Sequence, residues 1–130
     1  MILKEGHDMT SIRNARATRL LVGLILGSVA AGALAHHGWS GYDAGKPLNL
    51  TGRIEASGYE HPHGFVRLQT PEKTWNVVLA PPYRMENRGL PRELLAPGNE
   101  VTVYGYPHRS IADEMRAERI TVGNKTVELR

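Results

Sequence analysis

TWNVVLAPPYRMENRGLPRELLAPGNEVTVYGY, residues 74–106, is the stretch that decides the fold. Its two ends have the period of a strand. In TWNVVLA (74–80), Trp75, Val77 and Leu79 alternate with smaller or polar residues. In EVTVYGY (100–106), Val101 and Val103 share one face, and Thr102, Tyr104 and Tyr106 share the other. Alternation of this kind marks strands with one buried face. Between them Pro81-Pro82 stops the first strand, and YRMENRG with PRELL (83–95) is the only helix-like part of the chain. Gly89 fits a C-terminal stop and Pro91 a first helical turn. Pro97-Gly98-Asn99 then turns the chain into the next strand.

Working outward, GFVRLQT (64–70) is a strand that Pro71-Glu72-Lys73 folds into a hairpin with 74–80. Before it, LNLTGRIEASGYE (48–60) sets Leu48, Leu50, Gly52, Ile54 and Ala56 on one side and Thr51, Arg53 and Glu55 on the other. On the far side, MRAERITVG (115–123) is a fifth strand, and Asn124 allows a turn into TVEL (126–129). Five strands with a short helix between the third and fourth is the order of an OB barrel. The fold class expected is all-β: a small five- to six-stranded OB-like barrel with one short helix between strands 3 and 4. Closure removes the sheet edges that an isolated β domain must otherwise protect.

The beginning of the chain follows another logic. Residues 1–19 carry Lys4, Arg13, Arg16 and Arg19, and the 16 residues Leu20 to Ala35 carry no charge and end in Ala33-x-Ala35. A basic start, an apolar run and a small-residue end describe a secretory signal peptide, with Met1 or Met9 as its start. An uncleaved anchor is the competing reading, but the run falls short of the roughly 20 residues a spanning helix needs. The organisation expected is a cleaved signal peptide over 1–35, an extended glycine-rich arm over 36–47 and the barrel over 48–130. The protein is then periplasmic or secreted, with no membrane span after cleavage.

Cleavage after Ala35 changes the charge. The whole chain is +3, but residues 36–130 hold 12 Lys and Arg against 11 Asp and Glu, a net of +1. Nucleic-acid binders show a basic surplus or stripe, so a nucleic-acid partner is not expected. There is no cysteine. That excludes a disulfide framework, a thiolate metal site and a thiol nucleophile. No Gly-rich phosphate loop and no Gly-x-Ser-x-Gly elbow is present.

Several short elements occur in a telling order: Ala35-His36-His37, Leu50-Thr51-Gly52, Pro62-His63, Trp75, Leu94-Leu95-Ala96-Pro97-Gly98, and Val101-Thr102-Val103-Tyr104-Gly105. In this the chain resembles the small exported bacterial proteins grouped as domain of unknown function 6152. That family usually reads Asn-Pro-His at 61–63 and His-His-Ser at 36–38, where this chain has His61-Pro62-His63 and His36-His37-Gly38. The resemblance implies export and a small β fold, and it implies no activity, so the chemistry rests on the residues.

After cleavage the chain has five histidines, four of them in two tight pairs: His36 and His37, His61 and His63. These four are the expected metal ligands. Imidazole suits copper, zinc and nickel, and cysteine is not available to compete. A free His36 would bring an α-amine with a pKa of about 8. The amine and its own Nδ1 close a six-membered chelate, and a further imidazole completes a T-shaped nitrogen set of the kind Cu(II) accepts. This arrangement resembles the histidine brace of exported copper proteins. Read as a strand, 61–63 puts His61 and His63 on one face. A twelve-residue arm, with a reach of about 40 Å, brings His36 to them.

Each residue also has a plain reading. His63 satisfies backbone at a strand entry, and His108 is a solvated loop residue. Trp75, Val77 and Leu79 are core, and Trp39 covers a site or packs the arm. Arg84 and Arg88, four apart, share a solvated helix face. Tyr42, Tyr59, Tyr104 and Tyr106 with Phe65 form an aromatic face able to take a ligand. No paired carboxylates and no Ser/His/Asp order are found, so an enzyme is not expected; Glu60 is the one acid to test beside a metal. The leading function is Cu(II) binding or delivery. The alternative is an accessory module for a periplasmic protein or small organic ligand.

Overall fold

Alternating side chains build the sheet as the sequence predicts. The computed structural model describes residues 38–130. The signal-peptide expectation for 1–35, and His36 and His37, lie outside the described residues. Strands run over Leu48–Gly58 (β1), Phe65–Gln69 (β2), Thr74–Val78 (β3), Glu100–Pro107 (β4), Glu114–Val122 (β5) and Lys125–Glu128 (β6). The β1–β2, β1–β4, β2–β3 and β4–β5 pairs are antiparallel. A short parallel pairing of Asn76, Val77 and Val78 with Glu114, Met115 and Arg116 joins β3 to β5 and closes a five-strand barrel. β6 lies outside the ring as a hairpin on β5.

The closed ring encloses one apolar core. Val66, Leu68, Val77, Val103, Met115, Ala117 and Ile120 are fully buried. Burying each of the larger side chains stabilises the fold by about 1.5–3 kcal/mol. Two bulges bend the strands enough to close, at Ile54/Ala56 on β1 and opposite Tyr104/Gly105 on β5. At the second, the backbones come very close. A Cβ on Gly105 would run into the carbonyl of Arg116 and lie 2.8 Å from the Ala117 Cα.

The helix-like stretch splits in two. A six-residue α-helix (α1) spans Pro82–Asn87, and a 3₁₀ turn spans Arg92–Leu95. Gly89, at φ 81°, and Pro91 separate them, as their chemistry demands. Met85, Leu90 and Leu95 point inward and are buried with the rest of the core. Arg84 and Arg88 do more than line a solvated face: half-buried Arg84 donates from Nη1 to the Leu129 carbonyl at 3.0 Å, and Arg88, exposed as expected, donates from Nη1 to that of Glu128 at 2.7 Å. They cover the end of the outside strand. Among the described residues, no helix is long and apolar enough to cross a membrane.

Candidate functional site

β5 carries an arginine between two core residues. Met115 and Ala117 face into the barrel, so Arg116 faces out, yet it is only 7% exposed. The segment before β1 covers it. Residues 38–47 form turns docked on β4: Tyr42 N donates to the Trp39 carbonyl at 3.0 Å, and Asp43 N to that of Pro107 at 2.9 Å. Tyr42 forms an antiparallel bridge with His108. Arg109 N closes the pairing on the Gly41 carbonyl at 2.8 Å.

This docking brings Trp39 against two guanidinium groups. Arg116 lies 4.4 Å from its ring centroid and Arg130 lies 4.7 Å away. Tyr42 and Tyr106 meet the same indole edge-on, at 6.4 and 6.3 Å. Each phenol has its own carboxylate: Tyr42 donates to Glu114 and Tyr106 to Glu118, both at 2.6 Å. Burial and then the bond to Glu114 hold the Tyr42 hydroxyl far above the usual phenol range. The bond to Glu118 pushes Tyr106 up to about 12. Both stay protonated donors at any ordinary pH.

The Arg116 guanidinium joins three parts of the chain. Its Nη1 donates to the Gly38 carbonyl, and its Nη2 lies 3.3 Å from His63 Nε2. Its Nε is buried without a hydrogen-bond partner. Arginine has donors only, so His63 Nε2 accepts and the ring proton sits on Nδ1. Burial, and then the charges of Arg116 and Arg84, lower the His63 pKa below its ordinary value. Burial is also the main cause lowering the pKa of Arg116, with Arg84 and Arg130 adding to it and Tyr42 opposing. An imidazole acceptor is therefore held beside a buried cation that makes no salt bridge among the described residues.

The other predicted residues lie elsewhere. His61 is exposed, and 61–62 form a bend with a cis His61–Pro62 peptide, so that 61–63 is not a strand. The period-two reasoning that set His61 and His63 on one face does not apply to a bend. His108 is half-buried and not a free loop side chain: its Nδ1 accepts from Ile111 N at 3.0 Å and Ser110 N at 3.1 Å, which fixes the β4–β5 loop. Tyr59 donates to the Leu90 carbonyl at 2.6 Å, apart from the Trp39–Tyr42–Tyr106 cluster that Tyr104 extends. Glu60 is exposed. Among the described residues, no three His, Cys, Asp or Glu side chains group closely enough to hold a metal ion. An open groove along α1, lined by Pro81, Tyr83, Arg84, Asn87 and Arg88, has both its guanidiniums bonded to carbonyls.

Sequence reasoning missed Arg116. The signal was the pair Trp39 and Tyr42 in a glycine-rich arm, since two large aromatics there need a surface to cover.

A family model described as "Family of unknown function (DUF6152)" matches residues 24–115, well over half of the chain. No curated protein matches. Among solved structures, the chain is similar to one titled "Crystal structure of the TiaS-tRNA(Ile2)-ATP complex". The two are 24% identical with a TM-score of 0.48, over 68% of this chain and 20% of that one. It is also similar to "Crystal structure of the ZRD-deleted mutant of TiaS in complex with agmatine", at 22% identity and a TM-score of 0.47, over 65% of this chain and 26% of that one. The chain thus spans only about a fifth to a quarter of the length of these proteins.

Proposed function

The chain belongs to the family of unknown function DUF6152, which brings no activity with it, and from that premise we propose that it is an exported binding protein for Cu(II). The metal is held at the terminus made by cleavage after Ala35. The donors are the His36 amine, the His36 Nδ1 and one imidazole from the barrel, His63. His37 is the spare donor beside them, and His61, exposed on its bend, is left out of the set. The role is binding or delivery in the periplasm, without turnover.

The observation that carries this reading is the double hold of Arg116 on Gly38 and His63. His36 and His37 directly precede Gly38, and two residues reach at most about 7 Å. His63 is the barrel imidazole assigned to the set. Burial, and then the charges of Arg116 and Arg84, lower its pKa and so favour the neutral imidazole, the state that binds metal. Export fits the same chemistry: the His36 amine exists only after the signal peptide is removed.

The test compares Cu(II) titrations of two forms, one beginning at His36 and one carrying a single extra residue in front. Tight one-to-one binding by the first form alone is the expected result. Equal binding by both removes the terminal chelate, and the Trp39–Tyr106–Tyr104 cluster then becomes the surface to test for a partner.

A further inference from the structure

We infer that the groove along α1 binds a small organic phosphate monoester, its phosphate on Arg84 and Arg88 and its organic part on Tyr83. The inference uses no metal and no residue before Gly38, so it stands or falls apart from the copper reading. Arg84 on α1 and Arg88 at its C-terminal end are four residues apart, which puts them on one face. Both line the groove, whose volume of about 330 Å³ is that of a small-molecule site. Each guanidinium is held in place. Arg84 Nη1 donates to the Leu129 carbonyl at 3.0 Å, and Arg88 Nη1 to the backbone oxygens of Glu128 and Arg130 at 2.7 and 3.0 Å. A carbonyl fixes a guanidinium without cancelling its charge, and each arginine has four further N–H donors beyond the Nη1–H it uses there.

Among the described residues neither arginine forms a salt bridge, whereas Lys46, Arg67, Lys73, Arg109 and Arg130 each do. The uncancelled charge of Arg84 acts on its neighbours: it adds to the burial that lowers the pKa of His63 and of Arg116. An anion at Arg84 relieves that repulsion. The nearby acids face elsewhere. Glu86, two residues from each arginine, lies on another face of the helix. Burial, and then the charges of Glu86 and Glu93, raise the Tyr59 pKa, and neither acid lines the groove. Beside the two cations stand Pro81 and Tyr83, and Tyr83 is 72% exposed, more than Phe65 or Ile111. Two cations call for a dianion. A phosphate monoester carries roughly two negative charges at neutral pH, and its three terminal oxygens can accept from two guanidiniums at once. A ring on that phosphate would cover the bare face of Tyr83.

The experiment titrates phenyl phosphate into the full chain, kept free of metal by a chelator. Binding is read by calorimetry and from backbone amide shifts. Inorganic phosphate, which lacks the ring, and phenyl sulfate, which carries the ring with a single charge, are the comparison ligands. Phenyl phosphate should bind about tenfold more tightly than either, with the largest shifts between Tyr83 and Arg88. Arg88→Gln, at an exposed side chain, should weaken it about tenfold. Tyr83→Ala should weaken phenyl phosphate and leave inorganic phosphate unchanged. Inorganic phosphate bound as tightly as phenyl phosphate overturns the organic part of the inference, and phenyl sulfate bound as tightly overturns the dianion. Unmoved amides along α1, or unchanged affinity in Arg88→Gln, overturn the site itself. All of these results leave the copper reading where it stands.

Discussion

β5 buries two kinds of side chain, one on each face. Inside the barrel, Met115, Ala117 and Ile120 are carbon packed on carbon, and ring closure explains their burial completely. Outside, Arg116 is buried nearly as well, but by a turn more than seventy residues earlier in the chain, and with one nitrogen unpartnered. The first burial stabilises the fold. The second carries a desolvation cost that a well-packed apolar residue would avoid. Burial alone therefore says little about purpose: the interior holds the barrel together, and the outer face holds the beginning of the arm against His63.

That contrast can be broken at four points. The largest effect belongs to the interior. Ile120→Ala should lower stability by about 2–5 kcal/mol in urea denaturation, through lost contact and the cavity left behind. Gly105→Ala comes next, at about 1–3 kcal/mol, because the added methyl meets the β5 backbone at its bulge and not a side chain that can move aside. Arg116→Met should cost the barrel less than either, since an apolar residue suits a buried site. It should instead loosen the arm. Losing a hydrogen bond from a charged group, about 1.5–3 kcal/mol, predicts roughly tenfold to hundredfold faster amide exchange at Tyr42 and Asp43. An equal rise throughout β1 to β5 would mean that the two faces are one unit.

The smallest effect is the pH dependence of His63. Its folded pKa lies below the ordinary imidazole value of about 6.5, so the unfolded chain binds the proton more readily. Its contribution is present above the unfolded value and is lost as pH falls from there through the folded value. His63→Gln should flatten this part of the stability profile in denaturation series from pH 7 to pH 5. An unchanged slope would place the acid sensitivity on other groups.

The barrel was legible because its evidence is local. β1 to β4 alternate at period two, and Gly89 and Pro91 break the helix where the sequence says they should. β5 could be read as a strand, but MRAERITV places Arg116 on an outer face that looks solvated. Its burial depends on Trp39 and Gly38 folding back from far away, which no local pattern encodes. The expectation that His61 and His63 share one strand face failed for a related reason. Period two holds only inside a strand, and His61-Pro62-His63 lies in a bend and the residue after it, before β2 begins. His108 was misread because its ring accepts from two backbone N–H groups that the loop supplies only once folded.

The most direct measurement of the central claim is pulsed electron paramagnetic resonance on the chain beginning at His36, loaded with one Cu(II). The account predicts couplings from the terminal amine and from two imidazoles, with one imidazole coupling lost in His63→Gln and none lost in His61→Gln. A spectrum that His63→Gln leaves unchanged would contradict it, because Arg116 would then hold Gly38 and His63 without His63 being a ligand.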